Sequence, residues 1–272
     1  MVDRNIDWIV HLSALLSVTS EQQMEKAQAV NLTGFMNVIE LGRQHRLRIF
    51  CPSTIGAFGP STPRDGTPDL TIMRPTTIYG ITKVYMELMG EYYHRRFGVD
   101  FRSVRYPGII SAETEPGGGT TGKPSTTSLR HEILNEWSLL DYAVDIFHSA
   151  LKKKSYKCYL SENTRLPMMY IPDCLNGTVK FLEAPESQLK QRVYNVAAFS
   201  FTPAEIAAAI QKHIPEFTIS YAPDFRQAIA DSWPRSLDDS NARAQWGWKT
   251  EFDLDAMVAD MFKRLKGRAS QH

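Results

Sequence analysis

The sequence predicts an α/β fold built on a parallel sheet, and three observations predict it. Short apolar runs alternate with longer stretches of helical periodicity from residue 6 to residue 108, a pattern that argues for parallel strands joined by right-handed helical crossovers. The 272 residues suffice for one large domain or two small ones, at about 150 residues per domain. That length also buries a core without disulfides or metals. Finally, 43% hydrophobic and 22% charged residues match a soluble globular chain and exclude disordered and collagen-like classes.

The elements follow in order. IDWIVHLSALL, residues 6 to 16, is a nearly continuous apolar run and reads as a strand buried on both faces. Residues 21 to 45 carry helical periodicity, with Ala27, Val30, Leu32, Phe35, Met36, Val38 and Ile39 on a broad apolar face. LRIFCPS, 47 to 53, reads as a second strand, and a loop rich in Pro, Gly, Thr and Asp follows from 59 to 77. A long helix is predicted over 78 to 97, with Val84, Leu88 and Met89 on one side, and a strand over 99 to 108. Beyond it the pattern is mixed. Helices are predicted over 141 to 152, 173 to 183, 203 to 214 and 253 to 266, with Thr202 as N-cap and Pro203 at the first position of the third. CYL, MMYI and RVYNVAA read as short strands. Residues 115 to 140 are turn-rich and weakly amphipathic, as in a lid or an insertion.

Composition removes several function classes. Lys+Arg number 31 and Asp+Glu 30, a net charge of +1, so no global field pulls the chain toward nucleic acid or a membrane surface. No run of about 18 apolar residues marks a membrane helix. Cys51, Cys158 and Cys174 lie far apart with no CxxC pair, which disfavours a disulfide scaffold and a cysteine zinc site and fits a reducing compartment. The seven His show no HxxxH or HExxH spacing, so no metal is expected; His11 reads as a hydrogen-bonded core residue. The start, with Asp3 and Asp7, matches neither a signal peptide nor an intact transit peptide.

Tyr79-Gly-Ile-Thr-Lys83 carries the strongest chemical signal. Positions i and i+4 share a helix face. An ammonium beside a phenol favours the phenolate, and such a phenol can take a proton from a substrate hydroxyl. Isolated, the pair is more often an ordinary surface contact. Its context changes the reading. Ser53 and Thr54 end a predicted strand one βα unit upstream, His11-Leu-Ser-Ala14 ends the preceding strand, and Arg105-Tyr-Pro-Gly108 ends the following one. Ligands of open α/β sheets bind outside the carboxyl ends of strands, so these groups converge on one crevice.

HLSA, PSTIGAFG, YGITK and VRYPG together resemble the extended short-chain dehydrogenase/reductase superfamily, which includes the nucleotide-sugar epimerases. HLSALLS, PGGGTT, DYAVDIF, RLPMMYIPDCL, YNVAAFSFTPAEIA and the SWP to WGWK block extend the likeness over almost the whole chain to the short-chain L-threonine 3-dehydrogenases. The resemblance implies part of a Rossmann-like doubly wound parallel sheet, from strand four onward, with a smaller mixed α/β substrate domain. It divides the chain into residues 1–115, the C-terminal part of an NAD-binding domain, and 116–272, a substrate region with segments returning to the sheet. It implies oxidation of the threonine β-hydroxyl by NAD to give 2-amino-3-oxobutanoate. Tyr79 would accept the proton, Lys83 would assist it and bind the nicotinamide ribose, and Thr54 would hydrogen-bond the substrate oxygen. Leu12, Ala14, Pro107 and Ile109, with Tyr79 itself, would lie beside the cofactor, and Ser17, Thr120, Thr121 and Trp233 would line the amino-acid site. Core packing is the competing role for Trp233, and a helix-terminal hydroxyl for Ser17. The resemblance also implies a homodimer through the helices at 21–42 and 78–97, and a mitochondrial location, with the cytoplasm as the alternative.

Two departures from the family pattern stand out. The sequence has no G-x-x-G-x-x-G, because PGGGTT follows a strand-six segment and opens no helix after a first strand. The chain begins at what resembles strand four, so the cofactor loop is expected to be missing and NAD binding and turnover to be weak. Losing two or three charge-assisted hydrogen bonds at ~1.5–3 kcal/mol each weakens binding by roughly two to six decades. In addition, residues 122–140 intervene between GGGTT and DYAVDIF as an insertion. Two other readings stay open: a nucleotide-sugar epimerase or dehydratase of the same fold, and an inactive homologue that pairs with a full-length subunit.

Overall fold

The computed structural model describes residues 6–113 and 140–269. The remainder of the irregular stretch, including Thr120, Thr121 and most of the 122–140 insertion, lies outside the described residues. The chain divides into two compact units. The first comprises residues 1–107, 176–196 and 237–248, and the second 108–175, 197–236 and 249–272.

The first unit holds the parallel sheet. Strand β1 (Trp8–Val10) pairs with β2 (Arg48–Phe50), and β2 pairs with β4 (Phe101–Tyr106). Strand β3 (Ser53–Thr54) continues the line of β2 along the same side of β4, with Ser53 opposite Arg105 and Thr54 opposite Tyr106. Cys51 and Pro52 separate β2 from β3; a proline has no N–H to give to a ladder. On the far side of β4 lies β8 (Val193–Asn195), also parallel.

Alternation along each strand dresses both faces of the sheet. Ile49 and Phe101 join Phe35, Ile39 and Met86 in one apolar cluster. Those last three come from α3 (Phe35–His45) and α4 (Ile78–Phe97). Phe50 faces the other way, toward Phe181 at a ring separation of 6.4 Å, and Phe181 in turn meets Trp246. The helical stretch before β2 is interrupted: α1 (Ser17–Gln22) and α2 (Met24–Ala27) are followed by a π-helical turn over Gln28–Gly34. Short π segments inside helices frequently mark functional sites.

Arg102 is buried at the base of β4. Its guanidinium donates to both oxygens of Asp100, at 2.9 and 2.8 Å. It also donates to the carbonyls of Phe181 and Ala184, each at 2.7 Å, and so caps the end of α6 (Ile171–Glu183). These are the carbonyls a helix leaves unpaired at its C-terminus.

The second unit has two small sheets. In one, β5 (Gly108–Ile110) pairs parallel with β7 (Leu166–Tyr170), which pairs antiparallel with β9 (Phe199–Phe201). In the other, β6 (Ser155–Cys158) pairs parallel with β10 (Thr218–Tyr221). Helices α5 (Tyr142–Lys153), α7 (Pro203–Gln211) and α10 (Leu254–Ala269) contribute Phe147, Ile206 and Met261 to its core. Thr202 caps α7 with a reciprocal bond from Glu205, a capping box with Pro203 at its start. The short α8 (Arg226–Ala230) belongs here, and α9 (Ser240–Trp246) to the first unit.

Three expectations need correction. The run from 6 to 16 is not a strand buried on both faces: only Trp8–Val10 pairs as a strand, Trp8 and Ile9 are half-buried, and Val10 is 45% exposed. Among the described residues β1 pairs with β2 alone, so apolar character there does not translate into burial. The helix expected from residue 21 starts at Ser17. The MMYI strand starts earlier, at Leu166, and stops at Tyr170, because Ile171 already opens α6.

Candidate active site

The carboxyl rim of β3 and the start of α4 form the site. Thr54 is half-buried, with extended backbone, and its hydroxyl oxygen accepts from the Gly56 amide at 3.1 Å. Thr77 performs the same service for α4, accepting from the Gly80 amide at 3.1 Å. The Ile78 amide, another unpaired donor at that helix end, reaches Glu21 on α1 at 2.7 Å. The first turn of α4, which carries Tyr79, is therefore fastened by a side chain from each flank.

Thr54 and Tyr79 meet at Gly56. The position a Cβ would take on Gly56 lies 3.5 Å from Thr54 Oγ1 and 3.6 Å from Tyr79 Cδ1. A hydroxyl and a phenol ring thus flank one point at the strand end. Lys83, one turn along α4, is buried, and its Nζ donates to the Pro52 carbonyl at 2.6 Å. The same Nζ stands 5.6 Å from the centre of the Tyr79 ring. Thr54, Tyr79 and Lys83, singled out from the sequence, are brought together.

The remaining sequence-predicted residues fall as follows. Leu12 is 67% exposed just past β1, and Ala14 two residues on is half-buried. Ser17 is the first residue of α1. Pro107 is buried after β4. Ile109 lies half-buried in β5, within the second unit. Trp233 is also in the second unit, packed against its core cluster.

Burial first, and the Lys83 charge second, set the electrostatics beside the site. Burial lowers the pKa of His11 from its ordinary value, and the Lys83 charge adds to the effect. Burial pushes the Cys51 thiol up to about 11, with Lys83 opposing. No group of three or more His, Cys, Asp or Glu among the described residues is placed to hold a metal ion. No described helix is long and apolar enough to cross a membrane.

Sequence reasoning missed two sets of residues around the site. Asn31, in the π-helical turn, accepts from the Leu15 amide at 2.8 Å and donates to the Leu15 carbonyl at 3.0 Å and to Thr82 Oγ1 at 3.2 Å. It ties the loop after β1 to α4 between Tyr79 and Lys83. The other set is Glu87, which receives the Ser53 hydroxyl and the Arg105 guanidinium. Lys83 and Glu87 share a helix face at i, i+4, so spacing alone could have pointed to Glu87.

A parallel sheet whose rim presents a hydroxyl, a phenol and an ammonium defines an oxidoreductase or epimerase of the Tyr-x-x-x-Lys type. Residues 1–197 match the model of the NAD dependent epimerase/dehydratase family. The chain belongs to that family. The L-threonine 3-dehydrogenases of Bos taurus and Sus scrofa, both described as mitochondrial, are 53% identical to it over 100% and 96% of this chain. The chain spans about two thirds of those relatives, 68% and 65% of their lengths. The crystal structure of L-threonine dehydrogenase from Phytophthora infestans superposes with a TM-score of 0.87 at 54% identity, covering 96% of this chain and 79% of that one. Its fold is the Rossmann-like α/β arrangement expected from the sequence.

Proposed function

We propose that this chain oxidises L-threonine at its β-hydroxyl, with NAD as hydride acceptor, to L-2-amino-3-oxobutanoate. The observation that carries this reading is the meeting of Thr54 and Tyr79 at Gly56 with the Lys83 ammonium anchored alongside. Thr54 Oγ1 hydrogen-bonds the substrate oxygen. Tyr79 takes the hydroxyl proton as the hydride leaves the adjacent carbon. The Lys83 ammonium stands beside that ring, 5.6 Å from its centre. The relatives named L-threonine dehydrogenase support the substrate; the nucleotide-sugar alternative gains no comparable support.

The residues present fit the nicotinamide end of NAD. Lys83 directs one of its three N–H donors at Pro52, and the other two suit the vicinal hydroxyls of a ribose. Leu12, exposed at the strand end, offers apolar surface to a planar ring, with Ala14 two residues on. NAD, when bound, supplies the acceptor for the hydride. The family resemblance adds Pro107 and Ile109 to this end and assigns Ser17, Thr120, Thr121 and Trp233 to the amino acid.

A homodimer is part of the proposal. Ile81, Leu88 and Tyr92 expose apolar surface along one side of α4, at a spacing that forms a continuous stripe. A monomeric mass in light scattering would remove this part. A mitochondrial location rests on the mammalian relatives alone; imaging the tagged protein in its own cell decides it.

The experiment is threonine-dependent NADH formation by the chain and by Tyr79→Phe. General-base catalysis contributes about 10²–10⁴-fold, so the variant should lose at least about a hundredfold in kcat while NAD affinity changes little. A variant as fast as the parent overturns the assignment.

A further inference from the structure

A buried charged group lies directly behind the site. Glu87 and Arg105 are 3% and 5% exposed. Arg105 donates from Nη2 to Glu87 Oε2 at 2.8 Å and from Nε to Oε1 at 3.0 Å. Its Nη1 reaches the Asp69 carbonyl at 2.7 Å and Asn195 Oδ1 at 3.2 Å. The Ser53 hydroxyl completes the shell by donating to Glu87 Oε1. Asp69 is itself pinned: its carboxylate accepts from the Asn195 amide at 2.5 Å, Gln191 Nε2 at 2.8 Å and Asn241 Nδ2 at 2.9 Å.

A buried ion pair is weak evidence for stability, because desolvation offsets much of its attraction. A fully satisfied buried network does rigidify its surroundings. Here the surroundings are the reacting groups. Ser53 precedes Thr54, and Glu87 sits one turn beyond Lys83 and two beyond Tyr79 on α4. Pro52 and Ser53 are thus tied to that helix by consecutive bonds, through Lys83 and Glu87 respectively. On the opposite side Arg105 holds Glu87 from β4, the strand paired with β3.

We propose that Glu87 and Ser53, held by Arg105, are positioning residues that set the Thr54 hydroxyl against Tyr79. The proposal rests on the assignment of Thr54 and Tyr79 to threonine oxidation. Slack between β3 and α4 moves one reacting group relative to the other, and a 1 Å error there costs roughly a hundredfold in rate. Binding of substrate by groups elsewhere is untouched, so the loss falls on kcat and not on KM.

Ser53→Ala tests this, because Glu87 keeps both bonds to Arg105 and the ion pair survives. Ser103→Ala is the control: Ser103 is as deeply buried on β4, and its hydroxyl has no partner among the described residues. Two readouts are taken on the full chain, threonine kinetics and amide exchange of residues 53–58 by mass spectrometry. The expected result for Ser53→Ala is a fall in kcat of at least about tenfold, with KM for threonine within twofold and faster exchange in 53–58. Its melting midpoint should stay within about 3 °C of the parent, and Ser103→Ala should match the parent in both readouts. Unchanged kcat, or reduced kcat with unchanged exchange, overturns the proposal. If Ser53→Ala does not fold, Glu87→Gln, which keeps the side-chain shape but breaks the ion pair with Arg105, takes its place with the same expectations for kcat, KM and exchange and a lower melting midpoint. If the parent does not oxidise threonine, the substrate assignment fails instead, and exchange alone then decides whether the strut holds the rim.

Discussion

Gly80→Ala is the sharpest test of how α4 reaches the site. A Cβ at this position would stand 2.2 Å from the Gly56 carbonyl oxygen and 2.6 Å from Pro75 Cβ. Ordinary carbon–oxygen contacts are no closer than about 3.3 Å, so the first turn of α4 must retreat by about 1 Å from the strand end. Overpacking of this size costs about 1–3 kcal/mol, a drop in melting midpoint of roughly 2–12 °C. The same retreat carries Tyr79 away from Thr54, for a loss of about a hundredfold in kcat. Gly98→Ala separates the two effects. Gly98 has φ of 71° with none of the described residues within 4 Å of its would-be Cβ, so the alanine suffers left-handed strain of about 1–2 kcal/mol at the opposite end of α4 from Tyr79. Both variants are assayed by thermal unfolding and threonine-dependent NADH formation. Gly80→Ala with parental kcat refutes the close-approach argument, and so does an equal rate loss in Gly98→Ala.

Other perturbations probe the scaffold and its titrating groups. Arg102→Met strips the buried Asp100 of its main partner and uncaps α6; urea unfolding should show a loss of about 3–5 kcal/mol, partly recovered when Asp100→Asn is added. With its thiol near 11, Cys51 is only about 0.1% thiolate at pH 8, so iodoacetamide on the native protein should modify half-buried Cys174 before Cys51, and peptide mapping would expose the reverse order. His11 titrates below its ordinary value when folded, through burial and then Lys83. The unfolded chain therefore takes up this proton first as pH falls. The His11 contribution to stability is complete above about pH 6.5 and is lost as pH falls through the folded value, so His11→Asn should lose less stability than the parent on acidification.

What was legible in the sequence was local. Tyr79 and Lys83 declare themselves by one-turn spacing, Thr54 by its place at the end of an apolar run, and α7 by Thr202 and Pro203 at its start. Groups that act through partners remote in the chain were not legible. Asp69 finds the Asn195 amide 126 residues away, and Arg105 finds Asn195 across 90; no periodicity announces such contacts. Strands β9 and β10, of three and four residues, are too short for alternation to stand out from loop sequence. β1 failed for a different reason: its side chains are apolar, yet burial needs a neighbour on each side, and the described sheet supplies one.

The interruption at Pro52 gives the molecule two regimes of stiffness. Below it, main-chain ladders lock β2 between β1 and β4. Above it, the two-residue pairing of β3 with β4 is supplemented by side chains from α4 that grip the rim at Pro52 and Ser53. Side-chain grips release singly, whereas a ladder lets go as a unit. The reactive edge accordingly depends on a few separate side-chain contacts, so a single substitution there can displace one reacting group while the sheet beneath keeps its register.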